Sequence, residues 1–474
     1  MDTDDTGLGR IRAHIDAGTL AGPVTHDSRE VVPGSLYACL RGEHFDGHEF
    51  ARQAIAGGAS VLLTDHLVDG VDAGVQVVVD DTRRRLGPIA ALVAGDPSSE
   101  LTVVGITGTN GKTTTAQMLA AIFEFDGRPT GIVGTLHGPR TTPEAPELQR
   151  TLRGFVDAGK TAAVLEVSSH ALSLHRVDGT AFDAVVYTNL GHDHLDLHGS
   201  REEYFRAKAS LFSPSFAPVG VVNIDDTHGR LLADTAASAD FSVIPFSDDD
   251  VRDVVVTASS HSYTWRDVHI DVPIGGRFNV SNSIAALTTA VHLGVDPAVA
   301  AGGLATLSAV PGRFEVVSTR AGDERGITVI VDYAHTPDGL DEVLSTSRQV
   351  VGSGGSLIVV FGCGGGRDRA KRPEMGAVAA RLADRVVVTS DNPRREDPAL
   401  IIGEIVEGIE PAARSSVTTN PDRRAAIGDA LALAGRGDVV VIAGKGHERT
   451  QEFDGDVVEF DDRAVARQCL EDAS

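Results

Sequence analysis

The sequence is poor in cysteine: three occur in 474 residues, scattered at Cys39, Cys363 and Cys469. So few thiols, so far apart, exclude a disulfide framework and a four-cysteine zinc site, and they fit a reducing, cytoplasmic setting. No run of about 18 apolar residues is present, so membrane insertion is not expected. The stretch Met1 to Gly9 is acidic, with no basic flank and no apolar core, and does not read as a signal peptide. Positive charge is scarce as well. The formal net charge is −25 and no basic patch is visible, which argues against a nucleic-acid partner. The acidity is read as a solubility device or a salt adaptation. Lysine is the rarest charged residue, with five: Lys112, Lys160, Lys208, Lys371 and Lys445. A lysine kept where arginine is otherwise preferred hints at chemistry that a guanidinium cannot do.

What is present reads as a soluble globular protein, with 42% hydrophobic and 23% charged residues. The length suggests about three domains. Gly95-Asp96-Pro97-Ser98 and Val310-Pro311-Gly312-Arg313 are turn clusters, and we place the divisions there, giving 1–98, 99–311 and 312–474. Apolar, β-branched runs alternate with helical segments in all three, at 36–40, 60–63 and 75–79, then 101–106, 162–167, 184–188 and 220–224, then 327–332, 356–361, 385–389 and 438–443. That alternation predicts an α/β fold of three domains built on parallel sheets covered by helices. Residues 241–276 alternate as antiparallel strands do, and a helix is expected near 280–294.

The strongest signal is Gly105-Ile106-Thr107-Gly108-Thr109-Asn110-Gly111-Lys112-Thr113-Thr114, between an expected strand and an expected helix. Backbone amides of such a loop can wrap phosphates, the lysine can meet the terminal phosphates, and a hydroxyl can reach Mg²⁺. Ile106 makes it a variant of the usual phosphate-loop pattern. Glu166 ends an apolar strand, in Glu166-Val167-Ser168-Ser169-His170. His194 lies in Thr188-Asn189-Leu190-Gly191-His192-Asp193-His194, and Lys208 in Tyr204-Phe205-Arg206-Ala207-Lys208. A carboxylate beside a phosphate loop suits Mg²⁺, and an imidazole suits a second, softer metal position. Taken alone, Lys208 reads as a helix-surface lysine, and His192 and His198 as ordinary polar residues.

Thr107 to Thr113 resembles the ATP loop of the Mur ligases and their folylpolyglutamate synthetase relatives, and the resemblance continues over nearly the whole chain in the right order. It implies ATP binding by Gly108, Thr109, Asn110, Gly111, Lys112, Thr113 and Thr114. It also implies metal at Thr113, Glu166, His194 and Lys208, with two Mg²⁺ positions and Lys208 carrying a carbamate formed with CO₂. Carbamylation needs an amine, so arginine could not replace Lys208. Lys112, Glu166, His194 and Lys208 are thus the expected catalytic set. Arg277-Phe278-Asn279-Val280-Ser281-Asn282 resembles the adenine-contacting segment, through Asn279 and Asn282, with Phe278 where some members carry histidine. Arg313 follows the expected hinge Val310–Gly312 and would reach the nucleotide, and Asp332 the ribose.

About a hundred residues precede the ATP loop, which folylpolyglutamate synthetases lack. Asp27-Ser28-Arg29 and the segment from Gly42 to Phe50 resemble a UDP-binding domain, with Ser28, His44 and Phe45 as contacts. Thr141, Thr142, Ser168 and Arg176 match residues that hold the muramoyl-peptide. In the third region, Gly362 to Pro373, Ser390-Asp391-Asn392-Pro393-Arg394 and Gly444-Lys445-Gly446-His447-Glu448 resemble the family member that adds the third amino acid as meso-diaminopimelate. Its second amino-acid centre carries a carboxylate that Arg394 could grip with two parallel bonds, assisted by Arg367, and an ammonium suited to Asp391 and Glu448. Asn392, Pro393 and Gly444 would complete that site. The resemblance therefore implies a monomeric ATP-dependent ligase acting on a UDP-N-acetylmuramoyl-dipeptide and meso-diaminopimelate, through an acyl phosphate. A lysine-adding or other Mur-type ligase, and a non-catalytic binder of the UDP-linked precursor, are the alternatives.

Overall fold

The computed structural model describes residues 7–42, 45–191 and 198–472. Its first unit is a four-stranded parallel sheet in the order β1-β2-β3-β4, formed by Val24–Thr25, Leu36–Ala38, Val61–Thr64 and Gln76–Val78. The helix Thr82–Val93 packs on it, begun by Asp81, whose carboxylate accepts from the Arg83 and Arg84 amides.

The central unit is a six-stranded parallel sheet, β10-β9-β8-β5-β7-β6. Its strands are β5 (Thr102–Thr107), β6 (Thr130–Val133), β7 (Ala162–Glu166), β8 (Ala184–Tyr187), β9 (Val219–Asn223) and β10 (Ser242–Phe246). Strands β5, β7, β8 and β9 are almost wholly buried, as their unbroken apolar runs require when helices cover both faces. A separate antiparallel sheet, β11 (Val251–Val256), β12 (His261–Trp265) and β13 (Val268–Val272), packs into the same core as the helices Lys112–Phe125 and Phe278–His292. The reading of 241–276 as antiparallel is corrected at its start: β10 adds to the edge of the central sheet, parallel to β9. Its partial exposure, with only Phe246 buried, comes from being an edge strand.

The third unit is a six-stranded sheet ordered β14-β15-β19-β16-β17-β18. Its strands are β14 (Glu315–Val316), β15 (Thr328–Asp332), β16 (Leu357–Phe361), β17 (Arg385–Val388), β18 (Val417–Thr419) and β19 (Val439–Ala443). All pairs are parallel except β14 with β15. One apolar cluster lies on each face, and a hairpin, β20 (Thr450–Phe453) with β21 (Asp456–Glu459), follows β19. In both larger sheets the strand order reverses in the middle, at β5 and at β19. Loops leaving the carboxyl ends there diverge and open a crevice, the usual ligand position in an open α/β sheet. Among the described residues no helix is long and apolar enough to cross a membrane.

Candidate active site

The two crevices face one cleft of about 620 Å³. One wall holds Thr109 to Thr114, Glu166, Ser168, Thr188, Asn189 and Asn223, which leave the ends of β5, β7, β8 and β9. The other holds Arg313, Asp332 to Thr336 and Glu342 of the third unit. The glycines of the loop after β5 are required by close approach. At Gly108, φ is 154° and a Cβ would sit 1.8 Å from Thr188 Oγ1; at Gly111, φ is 85° and a Cβ would sit 2.3 Å from Asn282 Oδ1. Thr188 Oγ1 donates to the Asn110 carbonyl at 2.6 Å, and the Asn110 amide donates to Asn189 Oδ1 at 2.9 Å. The loop is thus pinned from β8, and its lysine begins the helix Lys112–Phe125, whose positive dipole end faces the cleft.

Glu166 is 1% exposed, and its carboxylate accepts from the Thr113 hydroxyl at 2.9 Å, the Thr135 amide at 2.9 Å and the Thr135 hydroxyl at 3.1 Å. These donors are neutral groups around a buried carboxylate, so the Thr113 hydroxyl and Glu166 form an all-oxygen set that fits Mg²⁺. Gly134 leaves the room, since a Cβ there would lie 2.2 Å from Glu166 Oε1. Lys208 is not a surface lysine. It is 1% exposed, donates to the Gly108 carbonyl at 2.8 Å, and holds its ammonium 4.4 Å from the centre of the Tyr204 ring. Lys112 donates to the same carbonyl at 2.8 Å and to Thr109 O at 2.9 Å, so the two ammonium groups meet at one backbone oxygen. His194 lies outside the described residues. His198 meets the Ser169 hydroxyl at 3.0 Å.

The expected nucleotide residues separate into two kinds. Asn282, Arg313 and Asp332 line the cleft. Asn279 does not: it is fully buried, donates to the Gly275 carbonyl at 2.7 Å and accepts from Asn282 Nδ2 at 2.9 Å, so in this arrangement it positions Asn282. Arg313 lies 4.3 Å from the Tyr333 ring centre and reaches Thr113 Oγ1 at 3.4 Å across the cleft. Both oxygens of Asp332 accept backbone amides at 2.7 Å, from Phe314 and Ala334, and burial raises its pKa. Sequence reading missed Tyr333, which packs against Arg313, His335 and His447. It also missed Glu342, whose carboxyl is pushed up to about 7 by burial and by Asp332, Asp338 and Asp341. Tyr333 directly follows Asp332 and could have been found, whereas nothing in the sequence distinguishes Glu342.

The expected muramoyl-peptide residues are drawn together at the seam between the first and central units. Thr142 Oγ1 donates to Glu166 O at 2.8 Å and accepts from the Ser168 amide at 3.0 Å. Arg176 donates to the Thr142 carbonyl at 3.2 Å and pairs with Glu144 at 2.6 Å. Thr141 and Ser168 also line the cleft. Ser28 and Phe45 stand apart from the cleft on the first unit, where Phe45 is 71% exposed and Asp27 pairs with Arg29 at 2.5 Å. His44 lies outside the described residues.

In the third unit, Arg394, Asp391, Asn392, Gly444 and Glu448 gather at the ends of β17 and β19. Arg394 (φ 54°) is fixed by its amide, which donates to Glu452 O at 3.0 Å, and its guanidinium donates to the Gly365 carbonyl at 2.7 Å and lies 3.3 Å from the Glu452 carboxylate. Pro393 O comes within 2.0 Å of where a Cβ on Gly365 would be, so the glycine run lets the two loops touch. Arg367 is exposed at the rim. Glu448 accepts from the fully buried Lys445 at 2.9 Å and from Asn392 Nδ2 at 2.9 Å. Burial would raise its pKa, but Lys445, Asn392 and His447 together outweigh it and the pKa is lowered. Its oxygen is thus already held by an internal ammonium. The buried Arg423–Asp462 pair, at 2.7 and 2.8 Å, also donates to Ser390 O and Ala443 O, fixing both strand ends beneath the loops.

The family model described as the Mur ligase middle domain matches residues 106–290, the glutamate ligase domain of Mur ligases matches 312–446, and the Mur ligase family catalytic domain matches 23–92. The UDP-N-acetylmuramoyl-L-alanyl-D-glutamate–2,6-diaminopimelate ligase of Streptomyces avermitilis is 43% identical, over 94% of this chain and 92% of its own length. The chain belongs to the Mur ligase family. A second Mur ligase of the same description, from Gloeobacter violaceus, is 45% identical over the same shares. A solved Mur ligase of that description superimposes with a TM-score of 0.67 at 34% identity, covering 95% of this chain and 94% of that one. The fold is shared more widely: a MurF ligase from Thermotoga maritima in complex with ADP gives a TM-score of 0.62 at 20% identity, covering 96% of this chain and 97% of that one.

Proposed function

We propose that this Mur ligase uses ATP to join 2,6-diaminopimelate to UDP-N-acetylmuramoyl-L-alanyl-D-glutamate, forming an amide bond in peptidoglycan precursor synthesis. The observation that carries the reading is end-to-end similarity to ligases of that description, 43% identical over 94% of this chain. We divide the molecule by role as 1–98 for the UDP moiety, 99–311 for ATP and 312–474 for the incoming amino acid.

The γ-phosphoryl group of ATP passes to the D-glutamyl carboxylate, giving an acyl phosphate. An amine of diaminopimelate attacks the acyl carbon, a tetrahedral intermediate forms, and phosphate leaves as the amide closes. The loop amides of Gly108 to Thr113 cradle the phosphates, and the Lys112 ammonium turns from its loop carbonyls to the transferred group. Mg²⁺, when bound, would be held by the Thr113 hydroxyl and Glu166, with His194 and a carbamate on Lys208 in our reading, and would offset phosphate charge. Ser168, Thr141, Thr142 and Arg176 orient the precursor's peptide between the first and central units. Arg313 and Asp332 bring nucleotide contacts from the third unit, so the two walls close on ATP together and keep water from the acyl phosphate. Arg394 takes the distal carboxylate of diaminopimelate in exchange for Glu452, and Asp391 takes its ammonium.

The test is phosphate release and product mass with ATP, Mg²⁺ and the UDP-linked dipeptide, offering meso-diaminopimelate, L-lysine or L-ornithine. Turnover with diaminopimelate alone is the expected result. Turnover with lysine would overturn the specificity, and no turnover with any amine would favour a precursor-binding protein.

A further inference from the structure

Outside the cleft, three side chains converge on the first unit that no step above uses. His48 lies in the short turn Gly47–Phe50, and Asp65 and His66 follow directly on the carboxyl end of β3. One ligand atom from each lies within 4.8 Å of the others. His48 is 8% exposed. Its Nδ1 meets Asp46 Oδ1 at 2.5 Å, which orients the ring, and the Asp46 carboxylate also caps the turn by accepting the His48 amide at 3.0 Å. The other nitrogen, Nε2, points towards Asp65, 3.1 Å from Oδ1 but off the hydrogen-bond direction, so this buried atom has no aligned partner. Asp65 Oδ1 also meets His66 Nδ1 at 2.5 Å, and the two imidazoles stack with centroids 4.4 Å apart.

A carboxylate oxygen between two imidazole nitrogens is a donor set for a borderline ion. Mg²⁺ and Ca²⁺ favour oxygen ligands, whereas two nitrogens, one oxygen and a solvent-filled fourth place suit Zn²⁺ and its neighbours. A carboxylate on the far nitrogen of a ligating histidine is the usual orienting partner, and Asp46 holds that place for His48. Zn–N bonds of about 2.0–2.1 Å set ligand atoms of a tetrahedron about 3.3 Å apart, close to the His48–Asp65 separation. The 2.5 Å His66–Asp65 contact would have to lengthen towards that separation on ligation. Arg41, which reaches the Asp65 oxygens at 3.1 and 3.3 Å, has Asp46 within 3.9 Å as a second carboxylate to follow.

We propose that His48, Asp65 and His66 bind one divalent transition-metal ion of the Zn²⁺ class, separate from the Mg²⁺ positions of the nucleotide cleft. The ion ties the turn after Asp46 to the end of β3, beside the exposed Phe45, and so braces the face expected to meet the uridine nucleotide. The site stands independently of the ligase reading. It is tested by calorimetric titration of Zn²⁺ into the whole chain with Mg²⁺ in large excess, for wild type, His66→Ala and Asp65→Asn. His66 is exposed and Asp65 half-buried, and both substitutions keep side-chain size or reduce it, so both variants are expected to fold, and ligase turnover without Zn²⁺ should be unchanged in His66→Ala. The expected result is one equivalent bound by wild type and an affinity at least about tenfold weaker in each variant. No uptake by wild type, or an isotherm unchanged in both variants, would overturn the proposal.

Discussion

At the residue scale, the amine of Lys208 is buried, where its local sequence alone reads as a surface group and only the family resemblance pointed inward. Its helix, Arg201–Ala209, is rich in charge and only weakly one-sided, so nothing local reports that one lysine turns inward. Only the fold sets its ammonium against the Gly108 carbonyl. Lys208→Arg should keep the fold and lose at least about a hundredfold in turnover, because a guanidinium cannot form a carbamate. Wild-type rates, measured by phosphate release, would remove the carbamate from the reading. Arg394 is a contrasting case, since its type and neighbours were legible and its present partners were not. Arg394→Ala should lower kcat/KM for meso-diaminopimelate by at least about a hundredfold, roughly the 3 kcal/mol of a lost charge-paired contact. Any slow reaction with L-lysine should stay level. Parallel losses with both amines would show that the arginine holds the loop rather than the substrate's distal carboxylate.

At the element scale, the buried strands were readable because parallel sheets covered on both faces need unbroken β-branched runs, as in Val439–Ala443 and Leu357–Phe361. Short or edge strands were not. Thr130–Val133 contains Gly131, pressed against Phe155, and lacks both a run and an alternation. The hairpin of β20 and β21 turns at Asp454-Gly455, a turn signal that was there to be used. The glycine-rich turn from β5 into the helix Lys112–Phe125 was legible as a local pattern. The division of labour between Asn279 and Asn282 was not, since it depends on which face of one helix meets the cleft. The Arg423–Asp462 pair likewise joins residues far apart in sequence, both fully buried. Arg423→Met alone should cost about 3–5 kcal/mol by stranding Asp462, while pairing it with Asp462→Leu should recover much of that. Urea unfolding of the single and double variants measures the difference. Equal losses in both would place the stabilisation in the bonds to Ser390 and Ala443.

At the scale of the whole molecule, stability should depend on pH through buried groups of opposite sign. His261 is buried between β12 and the helix Phe278–His292, where its ring meets Ile274 O at 2.6 Å and Ser283 Oγ at 3.1 Å. Burial lowers its pKa to about 4. The unfolded chain, with histidine near 6.5, then binds the proton first as the pH falls, so this contribution is whole above about 6.5 and is lost between about 6.5 and 4, on the order of 3 kcal/mol. Glu342, raised to about 7, works the other way: its contribution is whole below the ordinary carboxyl range near 4.5 and is lost as the pH rises to about 7. Unfolding midpoints from pH 4 to 7 should therefore climb less steeply in His261→Gln than in wild type. An unchanged slope would show that the ring is not protonated on unfolding in that range.

Gly312, between the central and third units, touches backbone rather than side chains: a Cβ there would fall 2.1 Å from the amide nitrogen of His447. The expected hinge Val310–Gly312 and the loop Gly444–Glu448 are thus in backbone contact, and a turn about that hinge would press directly on the loop. Amino-acid occupancy and the angle at that hinge would then be mechanically linked, a linkage that favours an ordered sequence of arrivals in which the amine enters after ATP.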